Sequence, residues 1–154
     1  MSVFKNFSFL CPIPSPDLKL EDRIIAHEGM KQFAYTDTTG HITIGVGRNI
    51  SSGGRGLNSD EIFILLRNDI KLATNQLAKY PWFTALDGVR RGAIIELVFN
   101  LGLAGFLEFK GVISALVDKD YATACKELIS SKWYTQVGLN RSKYICSRLS
   151  TGSY

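Results

Sequence analysis

Residues 27–47 read HEGMKQFAYTDTTGHITIGVG. Just before this run, Leu20, Ile24 and Ile25 recur on one side of Leu18–His27, the spacing of a helix, and Gly29 is a natural stop for it. Beyond the glycine the period changes. Phe33–Asp37 and His41–Val46 read as two strands, joined at Thr38-Thr39-Gly40 by a plausible hairpin turn. A helix feeding an antiparallel hairpin within so short a stretch predicts an α+β lobe and brings Glu28, Asp37 and Thr43 into one compact piece of chain.

Upstream, Pro12, Pro14 and Pro16 predict an extended proline-containing leader over 1–16, with Ser15 or Asp17 available to cap the following helix. The first seventeen residues are mildly apolar but interrupted by Lys5 and Asn6. They are too short and broken to span a bilayer and lack a convincing signal-peptide cleavage site.

Downstream, SSGGRGL (51–57) predicts a flexible loop, and Asn58 with Glu61 fits a capping box. Ile62, Leu65, Leu66, Ile70, Ala73 and Leu77 then follow at helical spacing, and Pro81 is expected to end the run. That gives a helix of about twenty residues, roughly 30 Å long. Past Pro81, Ile94, Ile95, Leu97, Val98, Phe99 and Leu101 are apolar nearly all round, predicting a central buried helix. Further helices are expected around 107–117, 121–130 and 141–149, with breaks at Gly102, Gly105 and Gly138. The expected layout is a small α/β lobe over 17–58, a long connecting helix over 59–81 and a helical lobe over 82–154. The class is α+β, mostly helical, with a β-hairpin or short antiparallel sheet in the small lobe.

The formal net charge is +4. Residues 1–77 hold 8 basic and 8 acidic side chains and 78–154 hold 10 and 6, so the whole excess lies in the second half. A basic lobe suits a polyanionic partner such as a cell wall, a membrane surface or nucleic acid; an ordinary solvated basic face is the bland alternative. Cys11, Cys125 and Cys146 are odd in number and widely spaced, which argues against a disulfide framework and fits synthesis in a reducing cytosol; pairing of two of them stays open. His27 and His41 lack partners at metal-ligand spacing, so neither a metal nor an organic cofactor is expected.

Two carboxyl groups and a hydroxyl are the inventory for cutting a glycosidic bond with water. One carboxyl donates a proton to the leaving oxygen, and a second, ionised, works from the other side of the scissile bond. Glu28 suits the first role: the negative end of its helix and the neighbouring Phe33 and Tyr35 favour a carboxyl without charge. Asp37, at a solvent-facing turn, suits the second. The Thr43 hydroxyl is placed to hold a water, with Ile42 and Ile44 on the opposite strand face.

At these residues the chain resembles the phage-type lysozymes, the muramidases of glycoside hydrolase family 24. The resemblance is carried by Glu28-Gly29, Tyr35-Thr36-Asp37, Gly40 and Thr43-Ile44-Gly45-Val46-Gly47. It continues in Arg91-Gly92-Ala93, Phe99-Asn100-Leu101-Gly102, Ser131-Lys132-Trp133-Tyr134-Thr135-Gln136, Asn140-Arg141 and Thr151-Gly152. It implies a lysozyme-like two-lobe fold and an inverting muramidase cutting β-1,4 links between N-acetylmuramic acid and N-acetylglucosamine in peptidoglycan. Glu28 would be the general acid, with Asp37 and Thr43 orienting the attacking water. Inversion calls for about 6.5–9.5 Å between the carboxyls. By position Phe99, Gln136 and Arg141 would contact substrate, although the helical spacing of Phe99 with Ile95 and Gly102 favours a core position over a cleft wall. Arg48, Asn49 and Phe109 depart from the family pattern.

The resemblance further implies an endolysin, monomeric and without stable membrane insertion or a nucleic-acid partner. It would be made in the host bacterial cytoplasm and released by a holin to act on the wall from the periplasm. A virion-associated lysozyme, a lytic transglycosylase, a non-enzymatic glycan-binding module and a membrane-permeabilising protein are the alternatives.

Overall fold

A computed structural model describes residues 18–154, so the proline leader, the Ser15 or Asp17 cap and Cys11 lie outside the described residues. The chain divides into two compact units between Ser59 and Asp60. In the N-terminal unit, helix α1 runs Leu18–Glu28. It stops where Gly29 takes a φ of 72° and its N–H donates to Ile25 O at 2.8 Å, a left-handed cap that costs a residue without Cβ little. Strands β1 (Lys31–Thr36), β2 (Ile42–Gly45) and β3 (Arg48–Asn49) follow as an antiparallel sheet in the order β1-β2-β3. The hairpin pairs Tyr35 with Thr43 and Thr36 with Ile42, with a bulge between Lys31 and Tyr35. The third strand goes beyond the expected hairpin: two residues, Arg-Asn, are too short to show any alternation.

The second unit begins its fold with α2, Ser59–Leu77, which sends Ala73 and Leu77 into the core. Pro81 does not end α2. It opens a separate short helix α3, Pro81–Thr84, at the first-turn position where the missing N–H is not needed. Helix α4, Gly88–Leu107, is the expected central helix, burying Ala93, Ile94, Leu97, Val98 and Phe106. Asp87 caps it by accepting from Arg90 N at 2.9 Å. Gly102 breaks it at φ 70°, ψ 158°, whereas Gly105 continues the helix rather than interrupting it. Helices α5 (Lys110–Val117), α6 (Tyr121–Ile129), α7 (Lys132–Gln136) and α8 (Leu139–Thr151) complete the unit. Phe106, Leu116, Leu128, Ile145 and Leu149 are fully buried where these helices meet, each contributing about 1.5–3 kcal/mol of transfer free energy.

One side chain closes this helical unit end to end. From the first turn of α4, Arg90 donates through Nε to Leu149 O at 2.8 Å and through Nη2 to Ser150 O at 2.9 Å, the last-turn carbonyls of α8. It pairs with Asp87 and lies 3.8 Å over the Tyr121 ring. A cation at a helix C-terminus is favoured by the dipole as well as by the bonds. Gly152 makes room for it: a Cβ there would run into Arg90 Nη1. Arg90→Ala is expected to lower stability by about 2–3 kcal/mol, read as a lower urea midpoint with an unchanged m-value. Arg91→Ala, on the exposed side of the same turn, should stay within about 0.5 kcal/mol of the parent.

Candidate active site

The hairpin turn is built by Asp37. Its Oδ1 accepts from Thr39 N at 2.8 Å, Thr39 Oγ1 at 2.7 Å and His41 N at 2.9 Å. The main chain closes the same turn, Gly40 N donating to Asp37 O at 3.1 Å and Asp37 N to His41 O at 2.9 Å. With the Thr39 hydroxyl proton given to Asp37, the 2.8 Å contact between Thr39 Oγ1 and His41 Nδ1 calls for the imidazole to donate through Nδ1–H. His41 thus serves as a hydrogen-bonded residue of the turn.

Asp37's second oxygen meets Thr43. The Thr43 hydroxyl lies 3.3 Å from Asp37 Oδ2 and 3.4 Å from His41 O, and its single proton serves one of them at a time. Thr43 is buried at 3% exposure, whereas Ile42 beside it is exposed. The inward face of β2 is therefore the polar one here, the reverse of an ordinary half-buried strand.

These donors stabilise a carboxylate, and the Asp37 pKa falls from 3.8 to about 2. The Thr39 hydroxyl is the largest cause and the His41 N–H the next; desolvation opposes them, and the Thr39 N–H and the Thr43 hydroxyl lower the pKa further. Because the folded value lies below the unfolded one, the turn gains stability from the carboxylate above about pH 4 and loses it as pH falls through about 2. A ¹³C titration of the Asp37 carboxyl should have its midpoint near 2, with the Thr39 and His41 amide resonances moving along the same curve.

Glu28 ends α1 and reaches toward the turn between β2 and β3: a Cβ built on Gly47 would lie 3.5 Å from Glu28 Oε2. Glu28 is exposed, and Phe33 is 78% exposed, so the aromatic cover expected from Phe33 is not formed. Arg48 Nη1 donates to Gly56 O at 2.8 Å and Asn49 Oδ1 accepts from Ser51 N at 2.9 Å. Arg48 and Asn49, both departures from the family pattern, thus brace the glycine loop that follows. All three candidates for the chemistry, Glu28, Asp37 and Thr43, are carried by this one small unit.

In the helical unit, Phe99 and Arg141 come together. With Leu66, Ile70, Ile95 and Glu96 they line a hollow of about 470 Å³. Phe99 is 47% exposed, a wall residue rather than core. Arg141 Nε donates to Glu96 Oε1 at 3.2 Å. Gln136 is exposed at the end of α7 and is not part of this lining. Glu96 was not singled out by sequence, because its partner lies 45 residues on. Asn100 belongs to a stretch that carries the family resemblance, but its partner is equally distant in sequence: its Oδ1 accepts from the buried Trp133 Nε1 at 2.9 Å and so ties α7 to α4. Among the described residues no cluster of His, Cys, Asp or Glu is arranged to hold a metal ion.

The family model for phage lysozyme matches residues 25–148, which include all six candidate residues. Two proteins of Dictyostelium discoideum are similar along most of their length. Probable T4-type lysozyme 1 is 29% identical and probable T4-type lysozyme 2 is 28% identical, each over 87% of this chain and 95% of the relative. The pre-baseplate central spike protein Gp5 of Enterobacteria phage T4 is 22% identical over 79% of this chain, a stretch amounting to 26% of that longer protein.

Proposed function

This chain belongs to the phage lysozyme family and is a glycoside hydrolase, and from that premise we propose that it cuts the β-1,4 bond between N-acetylmuramic acid and N-acetylglucosamine in peptidoglycan, with inversion at the anomeric carbon. Glu28 donates the proton to the leaving oxygen. Asp37, ionised, takes the proton of the attacking water, and Thr43 holds Asp37 in place while its free lone pairs accept from that water. The observation that carries this reading is the pairing of an ionised Asp37 with the Thr43 hydroxyl on the hairpin that Glu28 approaches through Gly47. Phe99 and Arg141 supply a glycan-contacting surface, one by its exposed ring and the other by a guanidinium steadied by Glu96.

In this reading the protein is an endolysin, monomeric, made in the bacterial cytoplasm and reaching the wall in the periplasm through the pore of a holin. Among the described residues no single helix is long and apolar enough to cross a membrane. Induction of the chain alone should then leave cells intact, and co-expression with a holin should lyse them; lysis without a holin would refute the release route.

Product ends test the reaction itself. Hydrolysis leaves reducing ends, and inversion makes the first-formed end the α anomer, visible by ¹H NMR before mutarotation. Anhydro ends would reassign the enzyme to lytic transglycosylation, and a β anomer would reassign the stereochemistry. An intact polymer would leave only binding or permeabilisation.

A further inference from the structure

Cys125 and Cys146 have no place in the proposed chemistry, and the fold brings them together. Cys125 is half-buried on α6, on the face that also presents Leu128 to the core; Cys146 is buried on α8 between Ile145 and the turn bearing Leu149. Helices α6 and α8 pack directly on one another, Cys125 lies against the buried cluster that includes Cys146, and the Cys125 thiol is among the groups that push the Cys146 thiol up. Both are free cysteines in a region of otherwise apolar contact. Two thiols at the seam of one helix pair, one half-buried and one beneath it, have the arrangement of an attacking and a resolving cysteine.

We propose that Cys125 and Cys146 form a reversible disulfide stapling α8 to α6, made by exchange with a low-molecular-weight disulfide such as oxidised glutathione and reopened by reducing thiols. Cys125 Sγ, deprotonated, attacks one sulfur of the oxidant. Its S–S bond breaks, one glutathione leaves as thiolate and takes up the proton that Cys125 lost. Cys146 Sγ then attacks Cys125 Sγ, expelling the second glutathione with the Cys146 proton. Two cysteine thiols are oxidised by two electrons, and one disulfide is reduced to two thiols.

The order follows from the surroundings. Burial, and then the neighbouring Cys125 thiol, hold the Cys146 thiol well above the usual range, so Cys146 is not the first attacker. Closure links residues about twenty apart, a loop long enough to restrict the unfolded chain appreciably. It also fixes α8, the helix that carries Arg141 and accepts Arg90 at its last carbonyls. The staple is independent of the enzymatic reading, since it involves none of the residues assigned to the reaction.

The test uses the full chain with Cys11→Ser, incubated folded with oxidised or reduced glutathione. Oxidation should remove both titratable thiols, lower the intact mass by two hydrogens and yield a peptide pair linked through Cys125 and Cys146. Melting temperature should rise by roughly 5–10 °C and return on adding dithiothreitol. With Cys146→Ala added, Cys125 should instead keep one glutathione, showing that it attacks first. Folded protein that retains both thiols, or that stops at a mixed disulfide with Cys146 present, would overturn the pairing. A bridged protein whose melting temperature does not rise would overturn the staple.

Discussion

Glu28→Gln is expected to slow the clearing of a purified peptidoglycan suspension by about a thousandfold or more, while thermal unfolding stays within about 0.5 kcal/mol of the parent. The substitution keeps the shape of the side chain at the end of α1 and its approach to Gly47, and removes only the transferable proton. Glu28 is exposed, so its replacement opens no cavity and strands no buried group. Loss of activity with an unchanged melting curve therefore reports chemistry rather than folding. Clearing at the parental rate would show that another group donates the proton. A second readout separates the enzymatic reading from permeabilisation: killing of intact cells that persists in Glu28→Gln, with no cleaved glycan, would mean that damage comes from the basic surface.

What the sequence made legible was local, and what it hid was distant. Gly29 ends α1 by bonding within the same helical turn, and the Asp37 turn draws its three Oδ1 bonds from Thr39 and His41, so both could be read from neighbouring residues. The family resemblance agrees with the roles that residue chemistry suggests for Glu28, Asp37 and Thr43, which spacing alone does not assign. Thr43 facing inward while Ile42 is exposed follows from the site rather than from hydrophobic patterning, which by itself would bury the isoleucine. Short elements escaped for want of any period: β3 has two residues and α7 five. Contacts such as Arg90 with Leu149, Asn100 with Trp133 and Glu96 with Arg141 join positions 33 to 59 residues apart, and no local rule brings them together. The exposure of Phe99 resolves a choice that helical spacing left open, because α4 is apolar nearly all round and its pattern does not say which apolar residue stays outside.

Asp37→Asn separates the turn-building role of this carboxylate from the catalytic role proposed for it. Asx turns accept either residue. An amide oxygen in the position of Oδ1 can keep the three bonds from Thr39 and His41, and the amide NH₂ can donate to Thr43 Oγ1 where Oδ2 now accepts from it. The turn should survive, and the negative charge should go. Without it, no group at this position can take a proton from the attacking water or stabilise positive charge developing on the sugar ring, a loss of about a hundredfold to a thousandfold in turnover. Asp37→Ala should lose the turn as well, and the difference between the two variants in hairpin amide protection measures the structural share. Activity retained in Asp37→Asn would point to a mechanism resting on Glu28 alone, in which the bond breaks without an activated water; anhydro ends in the products would then be the expected signature. Activity lost in Asp37→Asn, with the turn's amide protection intact, would instead locate the requirement in the charge of Asp37, which the surrounding donors keep ionised down to about pH 2.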